Sequence, residues 1–255
     1  MVNKYLNITN GIVKQNTAIQ KSERLETNNL VSVNSVDMID SSLLYPKLIP
    51  VYLTNYTVDT WTTVYENTST NFNMAYFLSI TNRSETDAII NLRLVDELDN
   101  EIHTFLYNIT LTGFEGLENE QASYPIPIGY KIQFKSSALL CECLLTIGAI
   151  DNCEMVYLKN TNSWYTLYEN ITEVDKRIIL FSIININASE ISTNVTLKIT
   201  DNTNADLYHI TPPLTLPANI GVENKVGLYI IQPTQKLVYY ATENTTQVLA
   251  VLVDN

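Results

Sequence analysis

One stretch of this chain occurs twice: WTTVYEN at residues 61–67 returns as WYTLYEN at residues 164–170. Matching positions are about 103 residues apart here and about 105 apart from Ser84 onward, where Asp96 matches Asp201 and Tyr124 matches Tyr229. A repeat of roughly 100 residues is too long for a solenoid unit and has the size of a domain that folds on its own. The second half is therefore a diverged copy of the first, and we predict two similar domains in tandem.

The duplication divides the 255 residues into three parts. Residues 1–48 lie outside the repeat, are dense in Asn, Ser and charged residues, and are predicted to form an extended N-terminal arm. Residues 49–150 form the first copy, and residues 151–255 form the second. The linker between the copies is only a few residues long, so we expect the two domains to stay close together.

The composition and the hydrophobic pattern predict an all-β fold. Short alternations of apolar and polar residues, rich in Thr, Ile, Val, Leu and Tyr and broken by Asn, Asp, Ser and Pro, are typical of strands. With about seven strands in each copy, we expect two tandem antiparallel β-sandwiches of immunoglobulin-like or jelly-roll type, which the pattern does not distinguish. In one strand, the residues predicted to face the core are Ile90, Leu92 and Leu94, and those predicted to face mostly solvent are Asn91, Arg93 and Val95.

Two small apolar clusters interrupt the polar arm. They consist of Leu30, Val31, Val33, Val36, Met38 and Ile39. Because these side chains would otherwise expose apolar groups to water, we predict that the arm docks on a neighbouring subunit. A disordered tail is the alternative.

Charge and cysteine content restrict the class of partner. The formal net charge of −12 at pH 7 argues against binding to nucleic acid or to anionic membranes. No apolar run approaches the roughly 18 residues that a membrane-spanning helix needs, and the first residues lack the apolar centre of a signal peptide, so we expect a soluble chain. The three cysteines, Cys141, Cys143 and Cys153, do not make a disulfide framework and favour a reducing place of synthesis. A soft-metal site at Cys141 and Cys143 is the alternative, and it would need further ligands that converge on this pair.

Asn-x-Ser/Thr triplets recur along the chain, for example at Asn67, Asn108, Asn170 and Asn194. Asn, Ser and Thr are abundant enough for chance to supply many of them. In the absence of a secretion signal, we interpret these Asn as polar strand residues and not as glycosylation sites.

The chain offers few residues suited to catalysis. His103 and His209 are the only histidines, and neither position holds a histidine in the other copy. The sequence contains no glycine-rich phosphate loop, no G-x-S-x-G nucleophile elbow and no H-E-x-x-H zinc motif. We therefore predict a protein that is not an enzyme, with no catalytic residues and no cofactor.

Two acidic hairpins occupy the same place in the two copies, DELDNE at residues 96–101 and DNTNAD at residues 201–206. Alternating carboxylates and amides could supply oxygen ligands for Ca²⁺, and the candidate ligands are Asp96, Asp99, Glu101, Asp201 and Asp206. The same residue types form turns without any metal, because Asp and Asn side chains cap their own backbone. We favour the turn interpretation and predict no metal site.

Aromatic residues suggest a further possibility. Trp61 and Trp164 head equivalent strands, and the chain contains 16 Tyr, so these rings could form a platform that stacks sugar rings. Each Trp also shares one face of its strand with a Thr and a Tyr, which packing at a sandwich edge or between domains requires equally. We favour packing, with carbohydrate binding as the alternative.

Both copies follow one order of short motifs. The repeated T-x-Y strand comes first, followed by an apolar strand that ends in Asn-x-Ser (residues 76–84 and 180–189). A strand of the type V-x-L-x-x-x-D follows (90–96 and 195–201), and then an I-x-L strand with a small turn (109–113 and 214–219). The last motif is P-x-G-x-x-I at residues 127–132. The second copy departs from the last motif, having Gln232, Thr234 and Leu237. Over residues 49–255 this order resembles tailed-bacteriophage virion proteins built of small β-sandwich domains. The resemblance implies domains that decorate capsids or build necks, collars and tail fibres.

These observations together predict a non-enzymatic structural component of a tailed-phage virion, acting in capsid decoration, in the neck or collar, or in the tail. We expect it to form a homo-oligomer and to bind other virion proteins through residues 1–48. Its predicted location is the virion, after synthesis in the cytoplasm of the bacterial host. A carbohydrate-binding or adhesive β-sandwich module is the alternative.

Overall fold

The computed structural model describes residues 8–9, 12–13, 48–119, 122–187, 189–224 and 229–255, and the elements of regular structure within them are β-strands. The strands up to the end of the first copy are β1 (Ile8–Thr9), β2 (Ile12–Val13), β3 (Ile49–Leu53), β4 (Thr62–Glu66), β5 (Phe72–Asn82), β6 (Ala88–Val95), β7 (Glu101–Leu111), β8 (Gly116–Asn119), β9 (Tyr124–Ile126), β10 (Lys131–Ser136) and β11 (Cys141–Ile150). Those of the second copy are β12 (Cys153–Lys159), β13 (Tyr165–Glu169), β14 (Lys176–Asn185), β15 (Thr193–Thr200), β16 (Asp206–Leu216), β17 (Gly221–Asn224), β18 (Tyr229–Ile231), β19 (Lys236–Ala241) and β20 (Thr246–Asp254).

The predicted arm falls mostly outside this description. The strands β1 and β2 pair with each other, whereas the six apolar arm residues between positions 30 and 39 lie outside the described residues. Their predicted binding to a partner stays a prediction. Within the described part of the chain, no helix is long and apolar enough to cross a bilayer.

Each copy consists of two antiparallel sheets whose strand order defines a jelly roll. In the first copy one sheet has the order β4-β10-β6-β7 and the other the order β3-β11-β5-β8, with β9 also paired to β5. The second copy repeats these orders as β13-β19-β15-β16 and β12-β20-β14-β17, with β18 also paired to β14. If β8 and β9 are taken as two sections of one strand, successive strands follow the double Greek key of a jelly roll. The prediction of two tandem antiparallel β-sandwiches is confirmed, and the topology is that of a jelly roll.

Four short strands were missed by the sequence prediction. They are β8, β9, β17 and β18, with three or four residues each. In the first copy β8 pairs with residues 78–81 of β5, and β9 pairs with residues 73–75. Strands this short contain too few alternating positions for periodicity to reveal them. They form because the long strands β5 and β14 each offer an edge to which two short segments pair.

The inner face of β6 follows the predicted alternation, but its outer face does not. Ile90, Leu92 and Leu94 are fully buried, as predicted. Val95 is equally buried, so the prediction that it faces solvent is wrong. The pairing of β6 with β7 shifts register between Leu94 and Val95, and such a bulge changes the side to which a residue points. Asn91 is also buried, and its Oδ1 accepts a hydrogen bond of 2.9 Å from a β7 backbone amide.

Two buried asparagines close equivalent loops after β4 and β13. The Nδ2 of Asn67 donates to the carbonyl oxygens of Asn71 at 2.9 Å and Ile126 at 2.7 Å. Its Oδ1 accepts from the backbone nitrogen of Ser69 at 3.1 Å and from that residue's Oγ at 2.7 Å. Asn170 makes the equivalent four bonds in the second copy. Interpreting these two as polar strand residues was wrong, since their side chains tie a loop to the opposite sheet.

Candidate functional site

The acidic hairpins are turns in which a carboxylate caps the backbone. The Oδ1 of Asp96 accepts hydrogen bonds from the backbone nitrogens of Leu98 at 2.9 Å and Asn100 at 2.8 Å. Asp201 accepts two equivalent bonds in the second copy, at 2.8 Å and 2.9 Å. The Asn100 side chain, which donates to Asp96, holds the pKa of that carboxyl below its ordinary value. These contacts are the ones that the turn interpretation predicts.

The other acidic residues considered as Ca²⁺ ligands have separate cationic partners. The pairs are Asp99 with Lys131 at 3.0 Å, Glu101 with Arg93 at 3.4 Å, and Asp206 with Lys198. The Nε2 of His209 also lies 3.3 Å from the Oδ2 of Asp206. Within the described ranges, no three His, Cys, Asp or Glu side chains converge on one point. The structure therefore places the five candidate ligands in two hairpins without bringing them together around a common centre.

The cysteines are free thiols held in apolar surroundings. Cys141 and Cys143 alternate along β11 and are buried in the core of the first copy. Burial raises the pKa of Cys143 to about 12 and that of Cys153 to about 11. A thiol with so high a pKa is a poor nucleophile and a poor metal ligand, because both roles need the thiolate. The Cys-x-Cys pair thus serves as core packing.

Each tryptophan lies against cationic side chains of its own sheet. The guanidinium of Arg93 is 4.0 Å from the centre of the Trp61 ring, and the Nζ of Lys198 is 3.9 Å from that of Trp164. Trp164 also stacks on Tyr240 with 4.9 Å between ring centres, yet it remains 50% exposed. Together with Tyr165, which is 51% exposed, it lines an open depression of about 380 Å³. Both tryptophans immediately precede edge strands, β4 and β13, and both pack against side chains of neighbouring strands, so the predicted packing at a sandwich edge is found.

The two jelly rolls bind each other through surfaces that the sequence analysis did not single out. The outer side of the five-stranded sheet of the second copy lies against β7, the edge strand of the first copy. The Nε2 of His103 is 2.9 Å from the Oγ of Ser182, and the backbone nitrogen of Thr104 donates to Oε1 of Gln247 at 2.6 Å. Gln247 also donates through Nε2 to Oε1 of Glu101 at 2.7 Å. Hydrogen bonds therefore set the register of the two halves.

An apolar contact accompanies these hydrogen bonds. Leu180, Leu249 and Val251 of the second copy are at most 2% exposed and belong to the same apolar cluster as the core of the first copy. On the first copy Phe105 is buried and stacks on Tyr124, with 4.2 Å between ring centres. The second jelly roll thus closes one side of the first. We name its contributing surface the sheet face of copy two (Leu180, Ser182, Gln247, Leu249 and Val251) and the opposing surface the edge of copy one (Ile102, His103, Thr104 and Phe105).

One sequence signal marks the sheet face of copy two. The strand β20 contains an unbroken apolar run, VLAVLV at residues 248–253, where one-sided burial would give alternation. A continuous apolar run is typical of a strand buried on both faces. Its counterpart in the first copy, β11, alternates between buried and half-buried positions. The difference between the copies therefore indicates which sheet is covered on both sides.

The other two equivalent surfaces make no such contact with each other among the described residues. The sheet face of copy one consists of Phe77, Ser79, Glu142, Leu144 and Thr146, each of them partly exposed. The edge of copy two consists of Leu207, Tyr208, His209 and Ile210. Leu207 is 51% exposed and Tyr208 is 55% exposed, whereas their counterparts on the edge of copy one, Ile102 and His103, are at most 3% exposed. One pair of equivalent surfaces is thus joined within the chain, whereas the residues of the other pair are partly or largely exposed, apart from the buried Ile210.

Comparisons with known proteins give remote structural likenesses. No family model and no curated protein matches the sequence. The major capsid protein P2 of bacteriophage PM2 is 9% identical, with 82% of this chain and 98% of that chain covered and a TM-score of 0.36. The PBSX exported protein XepA is 8% identical over 80% and 86% of the two chains, with a TM-score of 0.29. The tandem CBM22 domains of Xyn10C from Paenibacillus barcinonensis are 10% identical over 82% and 92%, with a TM-score of 0.22. The jelly-roll topology of each copy follows from the strand order of this chain.

Proposed function

We propose that this chain is a non-enzymatic structural component of a tailed-phage virion, acting in capsid decoration, the neck or collar, or the tail. The observation that supports the proposal best is the distribution of its side chains. The carboxylates of the hairpins cap turns or form separate ion pairs, whereas large apolar side chains lie on the surface of both jelly rolls. The most exposed of these are Tyr52, Leu98, Phe114, Leu139 and Ile171. Exposed apolar groups on both domains favour a protein whose surfaces bind other proteins.

In the proposed assembly the jelly rolls associate with other copies, and the arm anchors them to the particle. The apolar arm residues between positions 30 and 39 supply the contact with a scaffold protein of the virion. The resemblance of residues 49–255 to tailed-phage virion proteins supports this assignment.

The test is the composition of purified particles. Virions are banded on a density gradient, their proteins are identified by mass spectrometry, and the chain is located by immunogold labelling. We expect a stoichiometric component at regular positions on the particle. Particles that lack the chain, or that contain it only in traces removed by further washing, would overturn the proposal.

A second candidate function, carbohydrate binding, is favoured by the depression beside Trp164. Its lining includes the half-exposed Trp164 and Tyr165 and the amine of Lys198. An aromatic ring and a nearby polar group suit the apolar face and the hydroxyls of a sugar. Titration with host glycans should then quench the fluorescence of the wild-type protein and not that of Trp164→Phe, with Trp61→Phe as the matched control. Equal responses of the three proteins would exclude this function.

A further inference from the structure

The contact inside the chain uses one surface from each copy, and the duplication supplies each surface twice. The sheet face of copy two covers the edge of copy one. The sheet face of copy one and the edge of copy two have the same strands in the same register and do not contact each other within the described residues. For example, Leu94 pairs with His103 in β6 and β7, as Ile199 pairs with Tyr208 in β15 and β16. The backbone geometry that makes the internal contact is thus present at both free surfaces.

We propose that the edge of copy two binds the sheet face of copy one in another copy of this chain, which repeats the internal contact between molecules. The inference deepens the proposed function, since it names the surfaces through which the virion component associates with itself. A contact between two different surfaces is heterologous, so successive chains form a closed ring or an open filament according to the rotation at each contact. We identify the partner as a second copy because the internal interface already joins an edge and a sheet face of the same two kinds.

Two of the three apolar residues of the internal sheet face are apolar at the free sheet face as well, and the third, Val251, corresponds to Thr146. Leu249 of the internal interface corresponds to Leu144, and Leu180 corresponds to Phe77, by the pairing of β14 with β20 and of β5 with β11. The internal pair His103 and Ser182 corresponds to Tyr208 of one chain and Ser79 of the next. Tyr52, which is 68% exposed, pairs with Leu144 across β3 and β11 and widens the apolar area of this sheet face. Association would remove these side chains from water.

One polar contact of the internal interface has different side chains in its proposed repeat between molecules. Gln247 corresponds to Glu142, and Glu101 corresponds to Asp206, so two carboxylates take the place of an amide and a carboxylate. Each carboxylate has a cation beside it. Arg83 lies 2.5 Å from Glu142, while Lys198 and His209 lie beside Asp206. The two like charges make the contact between chains weaker than the internal one and dependent on salt.

Sedimentation velocity of the full-length chain over a concentration series tests the proposal. We expect concentration-dependent association, which Tyr208→Glu weakens about tenfold or more because it places a charge in an apolar contact. Tyr165→Glu is the matched control, since Tyr165 is 51% exposed on β13, at the opposite edge of the same sheet, and it should leave association unchanged. Glu142→Gln restores the amide of the internal contact and should strengthen association about threefold or more. A chain that is monomeric throughout, or equal effects of the two Tyr variants, would overturn the proposal.

Cross-linking tests the identity of the two surfaces. Two proteins are made in a Cys153→Ser background, one with Tyr208→Cys and the other with Ser79→Cys, and they are treated with a short bis-maleimide. A heterologous contact yields covalent dimers when the two proteins are mixed and none when either is treated alone. Dimers of Tyr208→Cys with itself would show a different, two-fold contact, and the absence of any dimer would show that another segment covers these surfaces. Either outcome contradicts the proposal.

The two proposals can fail separately. Particles that contain the chain while Tyr208→Glu assembles normally would leave the virion role intact and remove the head-to-tail contact. If association depends on Tyr208 but particles do not contain the chain, the head-to-tail contact stands and the virion role is excluded.

Discussion

The Nε2 of His103 lies 2.9 Å from the Oγ of Ser182, and this hydrogen bond joins the two jelly rolls across 79 residues of sequence. His103 is fully buried and packs edge-on against Phe105, and its Nδ1 lacks a hydrogen-bond partner among the described residues. Burial lowers the pKa of this imidazole from 6.5 to about 3. The contact between the copies is therefore built around a neutral histidine.

Acidification should destabilise the protein through His103. The unfolded chain takes up the proton near pH 6.5, whereas the folded chain resists it until about pH 3, so the unfolded state binds more protons in between. The contribution of the neutral imidazole is complete above pH 6.5 and is lost as pH falls, by up to about 1.4 kcal/mol per pH unit. Urea unfolding at pH 7, 6 and 5 measures this slope, and His103→Gln should remove it. His209→Gln, at the exposed histidine, should keep the slope; an unchanged slope in His103→Gln would contradict the assignment.

The internal interface should contribute strongly to stability. Leu249→Ala leaves a cavity between the copies and is expected to lower the free energy of unfolding by about 2–5 kcal/mol. Leu144→Ala, at the equivalent position of the first copy, removes a half-buried side chain and should cost about 1 kcal/mol or less. Both values are measured by urea unfolding at concentrations where sedimentation detects single chains. A larger loss for Leu144→Ala would contradict the burial difference.

The buried asparagines should contribute as much to the free energy of unfolding as apolar core residues do. Asn67→Ala removes the partner of the buried Ile126 carbonyl oxygen and unties the exposed loop at residues 68–71, and an unsatisfied buried polar group costs about 1–3 kcal/mol. We expect a loss of about 3 kcal/mol in the free energy of unfolding. Asn55→Ala, at an exposed loop Asn, is the control and should stay within about 0.5 kcal/mol of the wild type. Similar values for the two variants would show that the loop reorganises around the lost bonds.

Removal of the arm should separate folding from anchoring. Deletion of residues 1–45 is expected to leave both jelly rolls folded, because the described members of their apolar clusters all lie at position 51 or beyond. The truncated chain should give the circular dichroism of a β-protein and an unfolding transition like that of the full chain, but should no longer bind particles. A truncated chain that does not fold would show that the arm completes the first jelly roll.

The local sequence pattern predicted correctly those features that depend on interactions between neighbouring residues. The alternation at Ile90, Leu92 and Leu94 reports a strand with one side in the core, and the Asp-rich hairpins report turns, because side-chain direction and turn geometry follow from a few neighbouring residues. The same pattern failed at Val95, where a bulge set by the neighbouring strand reverses the side to which the residue points. It also failed at Asn67, whose partner Ile126 lies 59 residues away.

The sequence alone was enough to establish an all-β chain with two related sandwiches. The evidence was the repeat at residues 61–67 and 164–170, its register and the alternation of apolar and polar residues, all of which depend only on residue types and short spacings. The jelly-roll order, the short strands on β5 and β14, and the closure of one copy by the other were decided only in three dimensions. Strand order and the contact of His103 with Ser182 depend on which distant segments meet, and the cost of bringing such segments together is recovered only through the packing of the complete domain.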